Sequence, residues 1–123
     1  MLGALRPAIT DSTGVLVVYV TAPVSSAADL AKALVGKRLA ACVNLIPSVR
    51  SIYHWEGAIQ DEAEALLIIK TTAAGYDALR DEVLALHPYS VPEVIALPVV
   101  TGSAPYCAWV HQSVLSGDGG AAR

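Results

Sequence analysis

The stretch Leu39–Gly57, LAACVNLIPSVRSIYHWEG, decides how this chain folds. Leu39, Val43, Leu45 and Ile46 open it as an apolar, strand-like run; Pro47 interrupts; Val49, Ile52 and Tyr53 resume. Proline cannot donate to a β-ladder, so the two runs read as one long strand with a bend, and Pro47 belongs at an edge or a bulge. The chain then passes through a turn at Trp55-Glu56-Gly57-Ala58 into a further strand, Ala63–Thr72, which closes a long hairpin. A ribbon of this length exceeds what a small domain needs, and its free backbone edge invites pairing with another chain.

Working outward, Val15–Thr21 (VLVVYVT) is apolar on both of its alternating faces, as expected of a strand covered on both sides. Ala27, Leu30, Ala31, Leu34 and Val35 recur at helical spacing between these two strands. Ser25 or Ser26 is the expected cap, with Asp29 at capping-box distance from Ser26, and Gly36 the expected stop. After Thr72, another expected cap, Tyr76, Leu79, Val83 and Leu86 form the stripe of a second helix that Pro88 ends. Val94–Val100 reads as a fourth strand, its Pro98 implying an edge or bulge. Ser103 opens a third helix with Pro105 in its first turn and Tyr106, Trp109, Val110 and Val114 on its apolar side. Residues 1–14 read as a flexible arm, 15–115 as one domain and 116–123 as a disordered, glycine-rich tail.

The order βαββαβ plus a C-terminal helix predicts an α+β, ferredoxin-like split βαβ fold. Right-handed crossovers put both main helices on one face of the sheet. The other face is then bare, although the third strand is apolar on both sides (Leu66 and Ile68; Leu67 and Ile69). Composition agrees: 54% of residues are hydrophobic and only 15% charged, against about 25% charged in a typical domain. A monomer of 123 residues cannot hide that much apolar surface. No run approaches the roughly 20 apolar residues of a membrane span, and the N-terminus does not resemble a signal peptide. The expectation is an obligate homo-oligomer, three copies packed sheet to sheet, in the cytoplasm with Cys42 and Cys107 reduced.

A net charge of −3 with scattered basic residues lacks the basic stripe of a nucleic-acid binder. RNA-recognition modules share this topology but need aromatic residues and positive charge on the open sheet, and this chain has no Phe and aliphatic inner strands. Phosphate-binding glycine loops and nucleophile–base arrangements are missing as well, so no enzyme is expected.

His87, Tyr89 and Glu93 cluster around Pro88 and Pro92. His87 and Glu93 are candidate ligands for Cu²⁺ or Zn²⁺ at a subunit boundary; the competing reading is a proline-braced loop whose polar groups cap neighbouring elements. No paired-histidine or CxxC spacing supports a metal independently. Glu62, Glu64 and Lys70 share a parity on the third strand, either lining an intersubunit cleft with Tyr53, Trp55 and Tyr89 or pairing charges across an interface. Trp55 at the hairpin tip is expected to anchor in a neighbour. Cys42, among Leu39, Ala40, Ala41 and Val43, reads as a small buried hydrophobe that offers a soft ligand at most, because a catalytic thiol needs an adjacent base. His54 and His111 read as ordinary surface or interface residues.

Five motifs in order carry a resemblance: TAP at Thr21–Pro23, LAACVN at Leu39–Asn44, WEG at Trp55–Gly57, IIKT at Ile68–Thr71 and HPY…PE at His87–Glu93. Together they are similar to the CutA family of divalent-cation tolerance proteins over roughly Val15–Leu115. The resemblance implies a homotrimer of ferredoxin-like subunits akin to the PII signalling proteins, with a role in metal tolerance. It also implies copper ligands at three positions, where this chain has Val20, Leu86 and His87, so only one ligand survives. A PII-like effector sensor is the alternative, and the tight Trp-Glu-Gly turn speaks against the long mobile loop such a sensor needs.

Overall fold

Strand β1 (Val15–Ala22) is central in a four-stranded antiparallel sheet, in a computed structural model that describes residues 12–115. It pairs with β3 (Ala58–Thr72) on one side and β4 (Val94–Pro98) on the other. Strand β2 (Cys42–Trp55) lies outside β3, giving the order β2-β3-β1-β4. The chain order and this pairing make the expected ferredoxin-like fold. None of the helices among the described residues is long and apolar enough to cross a membrane.

Helices α1 (Val24–Gly36) and α2 (Tyr76–Leu86) cover one face. Val18, Val20 and Ala22 of β1 and Ala65, Leu67 and Ile69 of β3 meet Leu30 and Leu34 of α1 and Leu79 and Val83 of α2 in the main core. An ion pair between Lys37 and Glu82 joins the ends of the two helices. Helix α3 (Ala104–Ser113) forms a smaller core through Val110 with Val15, the following Val114 and the flanking Ala41.

The helix caps differ from the expectation. Pro23, not a serine, precedes α1, and Ser26 Oγ turns back to donate to Pro23 O at 3.3 Å. Gly36 is still helical; the left-handed residue is Arg38, at φ 58°. Arg38 holds that conformation because its guanidinium donates to the last carbonyls of α3, Gln112 O at 2.8 Å and Ser113 O at 3.1 Å. Thr72 accepts from Gly75 N at 3.0 Å, making a turn ahead of α2, whose N-cap is Gly75. Strand β4 stops at Pro98, shorter than the expected run to Val100. Thr13 and Gly14, read as part of the arm, are tied in by Thr13 Oγ1 to Val99 O (2.7 Å) and Ala73 N to Gly14 O (2.9 Å). The remainder of the arm, and the tail, lie outside the described residues.

The hairpin turns through Glu56 and Gly57, at φ 51° and 80°, so two left-handed residues close a two-residue loop matched to the twist of its strands. Pro47 sits in a bulge, as a residue without an N–H should: Ile46 pairs with Leu66, yet the next pair is Val49 with Glu64. Three steps on β2 thus match two on β3. The single extra residue swaps parity, and this swap builds the site.

Candidate functional site

Before the bulge, even-numbered residues of β2 (Cys42, Asn44, Ile46) share the helix-free face with Lys70, Ile68 and Leu66. After it the odd-numbered ones do: Val49, Ser51 and Tyr53 lie opposite Glu64, Glu62 and Gln60. Tyr53 and Trp55 thereby join a cleft of about 750 Å³ that runs along the hairpin from its turn down to Glu64. Its floor is Thr21, Glu64 and Glu62; its far wall is Tyr89, Ser90, Val91 and Glu93 from the loop after α2.

Two phenols organise its charge. Tyr53 Oη donates to Glu62 Oε1 at 2.6 Å, and Tyr89 Oη donates to Glu64 Oε2 at 3.0 Å. The Glu62 bond pushes the Tyr53 hydroxyl up to about 12; burial, then the Glu64 bond, raises Tyr89. Glu64 itself is only 5% exposed. Glu56 and Glu93 add two more carboxylates, and among the described residues no Lys, Arg or His lines the cleft. The nearby cation Arg50 points its guanidinium at Asp61 instead (2.7 and 2.8 Å), which holds the Asp61 carboxyl below its ordinary value. The cleft is suited to hydrogen-bond donors and positive charge.

Of the residues singled out from sequence, Tyr53, Trp55, Glu64, Tyr89 and Glu93 meet in this cleft. Cys42 and Lys70 do not line it; they face each other across the β2–β3 ladder, where Lys70 Nζ donates to Asn44 Oδ1. Cys42 is half-buried rather than buried, and both cysteines are free thiols. His87 lies behind the cleft wall, 7% exposed. Its Nε2 contacts Thr21 O at 2.7 Å and its Nδ1 accepts from Tyr89 N at 3.1 Å. Gln60 and Ser51 also line the cleft, as does Glu56, which the sequence marks only as a turn residue. The alternation of Gln60, Glu62 and Glu64 marks them as one face, but Ser51 joins that face only once the parity swap at Pro47 is known.

A resident metal fits poorly. Among the described residues no three His, Cys, Asp or Glu side chains come together closely enough to hold an ion. Val20 is fully buried in the main core, and Leu86 is exposed but apolar.

The family model for the CutA1 divalent ion tolerance protein matches residues 16–113. This chain belongs to the CutA1 family. The divalent-cation tolerance protein CutA of Thermus thermophilus is 46% identical over 98 residues, which are 79% of this chain and 95% of that protein. Protein CutA of mouse is 53% identical over 95 residues, 76% of this chain but 54% of the mouse protein. The chain thus spans about half the length of the mammalian relatives it matches. Among solved structures, CutA1 of Oryza sativa superposes with a TM-score of 0.80 at 47% identity, covering 84% of this chain and 97% of that one. The Thermus thermophilus protein superposes at 0.79 and 44% identity, covering 81% and 98%. The CutA1 fold therefore runs from β1 through α3, with the hairpin and the cleft inside the matched region.

Proposed function

We propose that this chain serves divalent-cation tolerance as the subunit of a cytoplasmic homotrimer that holds a small ligand in the Tyr53–Tyr89 cleft, between neighbouring subunits. The observation that carries the reading is Glu64. Its carboxylate is nearly buried at the foot of an open cleft to which no Lys, Arg or His of the described residues contributes, and a buried carboxylate favours a donor or a positive charge beside it. The role is binding and not catalysis, because the cleft pairs its carboxylates with phenols and has no nucleophile beside a base. Cu²⁺ or Zn²⁺, if taken up, is cargo met by the assembled trimer and not a cofactor resident in one chain. The PII-like alternative, an effector sensor, is weakened by the two-residue turn between β2 and β3.

The test is native mass spectrometry of the purified protein against a panel of divalent metals and of amine- and phosphate-bearing metabolites, followed by calorimetry of each hit. The expected result is a ligand bound by wild type with an affinity that Glu64→Gln lowers at least about tenfold, the loss of a charge-assisted contact. Equal affinity in both proteins for every hit would remove the cleft from the account.

A further inference from the structure

We propose that His87 is a positioning residue that builds the wall of the cleft, and that it serves in that role instead of as a metal ligand. The inference starts from its two nitrogens. Tyr89 N–H donates to Nδ1, so Nδ1 carries the lone pair and Nε2 the proton. That proton goes to Thr21 O at 2.7 Å. The paired ladder of β1 and β4 runs out one residue earlier, at Val20–Val94, so the imidazole serves a carbonyl just beyond the last strand pair.

Both nitrogens are therefore engaged, in a side chain that is 7% exposed. A metal needs a lone pair, and here the only one is held by Tyr89 N–H. Coordination costs this chain a hydrogen bond whichever nitrogen is used. Nothing nearby offsets that loss: Val20 and Leu86 supply no donor atom, and among the described residues no group of three His, Cys, Asp or Glu side chains gathers to hold an ion.

The same bonds have a second consequence. The contact from Tyr89 N back to the side chain two residues earlier closes a small turn around Pro88, of the kind Asp and Asn side chains make. The two rings pack 4.8 Å apart. This turn aims the Tyr89 hydroxyl at Glu64. His87 thus connects Thr21 of β1 to Glu64 of β3 through Tyr89, shaping a cleft it does not itself line. The inference rests on the cleft as ligand site only for what the wall is for; the hydrogen-bond assignment stands without it.

Three variants separate strut from ligand. Asn at position 87 keeps the acceptor for Tyr89 N–H and loses the reach to Thr21; Gln keeps the reach and loses the turn; Ala loses both. Amide exchange at Tyr89, followed by NMR on the folded protein, is expected to speed up about tenfold in His87→Ala and His87→Gln, the loss of one ordinary hydrogen bond, and to stay near wild type in His87→Asn. Long-range proton–nitrogen spectra are expected to show the Nε2–H form, unchanged by added Zn²⁺, and Zn²⁺ affinity is expected to be equal in all four proteins. Unchanged Tyr89 exchange in all three variants overturns the strut. A tenfold loss of Zn²⁺ affinity in His87→Asn, with its Tyr89 amide still protected, makes His87 a ligand after all. Neither result depends on which metabolite the cleft takes, so failure here and failure of the cleft reading are told apart.

Discussion

Tyr53 shows how single side chains set the character of the cleft. Its shift to about 12 comes first from the 2.6 Å bond to Glu62, with partial burial and the neighbouring carboxylates adding to it. Folding favours the neutral phenol. The stability it contributes is therefore fully present below the ordinary value near 10 and is lost as pH rises through about 12. In a phenolate absorbance titration, Tyr53 is expected to be among the last of the five tyrosines to ionise. Glu62→Gln should bring the Tyr53 phenol back toward 10 and lower Tyr89 by less, since the Glu62 charge raises that phenol too; an unchanged titration would break the pairing. At this scale the sequence was half legible. Tyr53, Trp55, Glu64, Tyr89 and Glu93 were marked by their position and type, and they do converge. The engagement of both His87 nitrogens was not, because Thr21 is 66 positions away in the chain and backbone acceptors leave no trace in side-chain patterns.

The hairpin is the element that makes these residues a site. Its order shows in the alternating apolar positions and Pro47 announces a break, but its length does not: β3 begins at Ala58 and not at the expected Ala63, because Ile59–Glu62 carry mostly polar side chains although they pair in the ladder. A proline says that a ladder bond is missing; it does not say how many residues the break inserts. The insertion of one residue puts Ser51, Tyr53 and Trp55, in place of Ile52 and His54, on the face of Gln60, Glu62 and Glu64, although Ile52 still borders the cleft. Deleting Ser48 should reverse that choice: folded protein forms, Trp55 leaves the cleft, and any ligand affinity found for wild type falls by at least about tenfold. Retained affinity would show that the bulge is incidental. The helix caps were misread for a related reason, since Arg38 takes the left-handed position usually given to glycine only because α3 offers it carbonyls from far along the chain. At the hairpin tip the demand is conformational alone. A Cβ on Gly57 meets nothing within 4 Å, so Gly57→Ala should cost about 1 kcal/mol through its positive φ. Chemical denaturation measures it, and a cost near zero would contradict the left-handed turn.

On the whole molecule, one sheet face is covered by α1 and α2 while the other carries a run of exposed apolar side chains. Ile46 on β2 and Ile95 and Leu97 on β4 stand in the open, with Tyr106 and Trp109 of α3 exposed as well. Beyond them the hairpin projects Ile52, Trp55 and Ile59, the last 76% exposed. Surfaces of this kind on a chain this small imply partners. The sequence had shown the excess through its apolar fraction, and the structure locates it on the helix-free face and the hairpin. Trp55→Ala should weaken assembly by about 2 kcal/mol or more per interface while leaving the subunit folded, as read from dissociation on dilution with circular dichroism in parallel. Wild-type dissociation behaviour in that variant would deny Trp55 an anchoring role. The assembly itself is tested most directly by sedimentation equilibrium of the wild-type protein at low micromolar concentration. The account predicts one species of about three times the 12.8 kDa chain mass; a folded, stable monomer would contradict it.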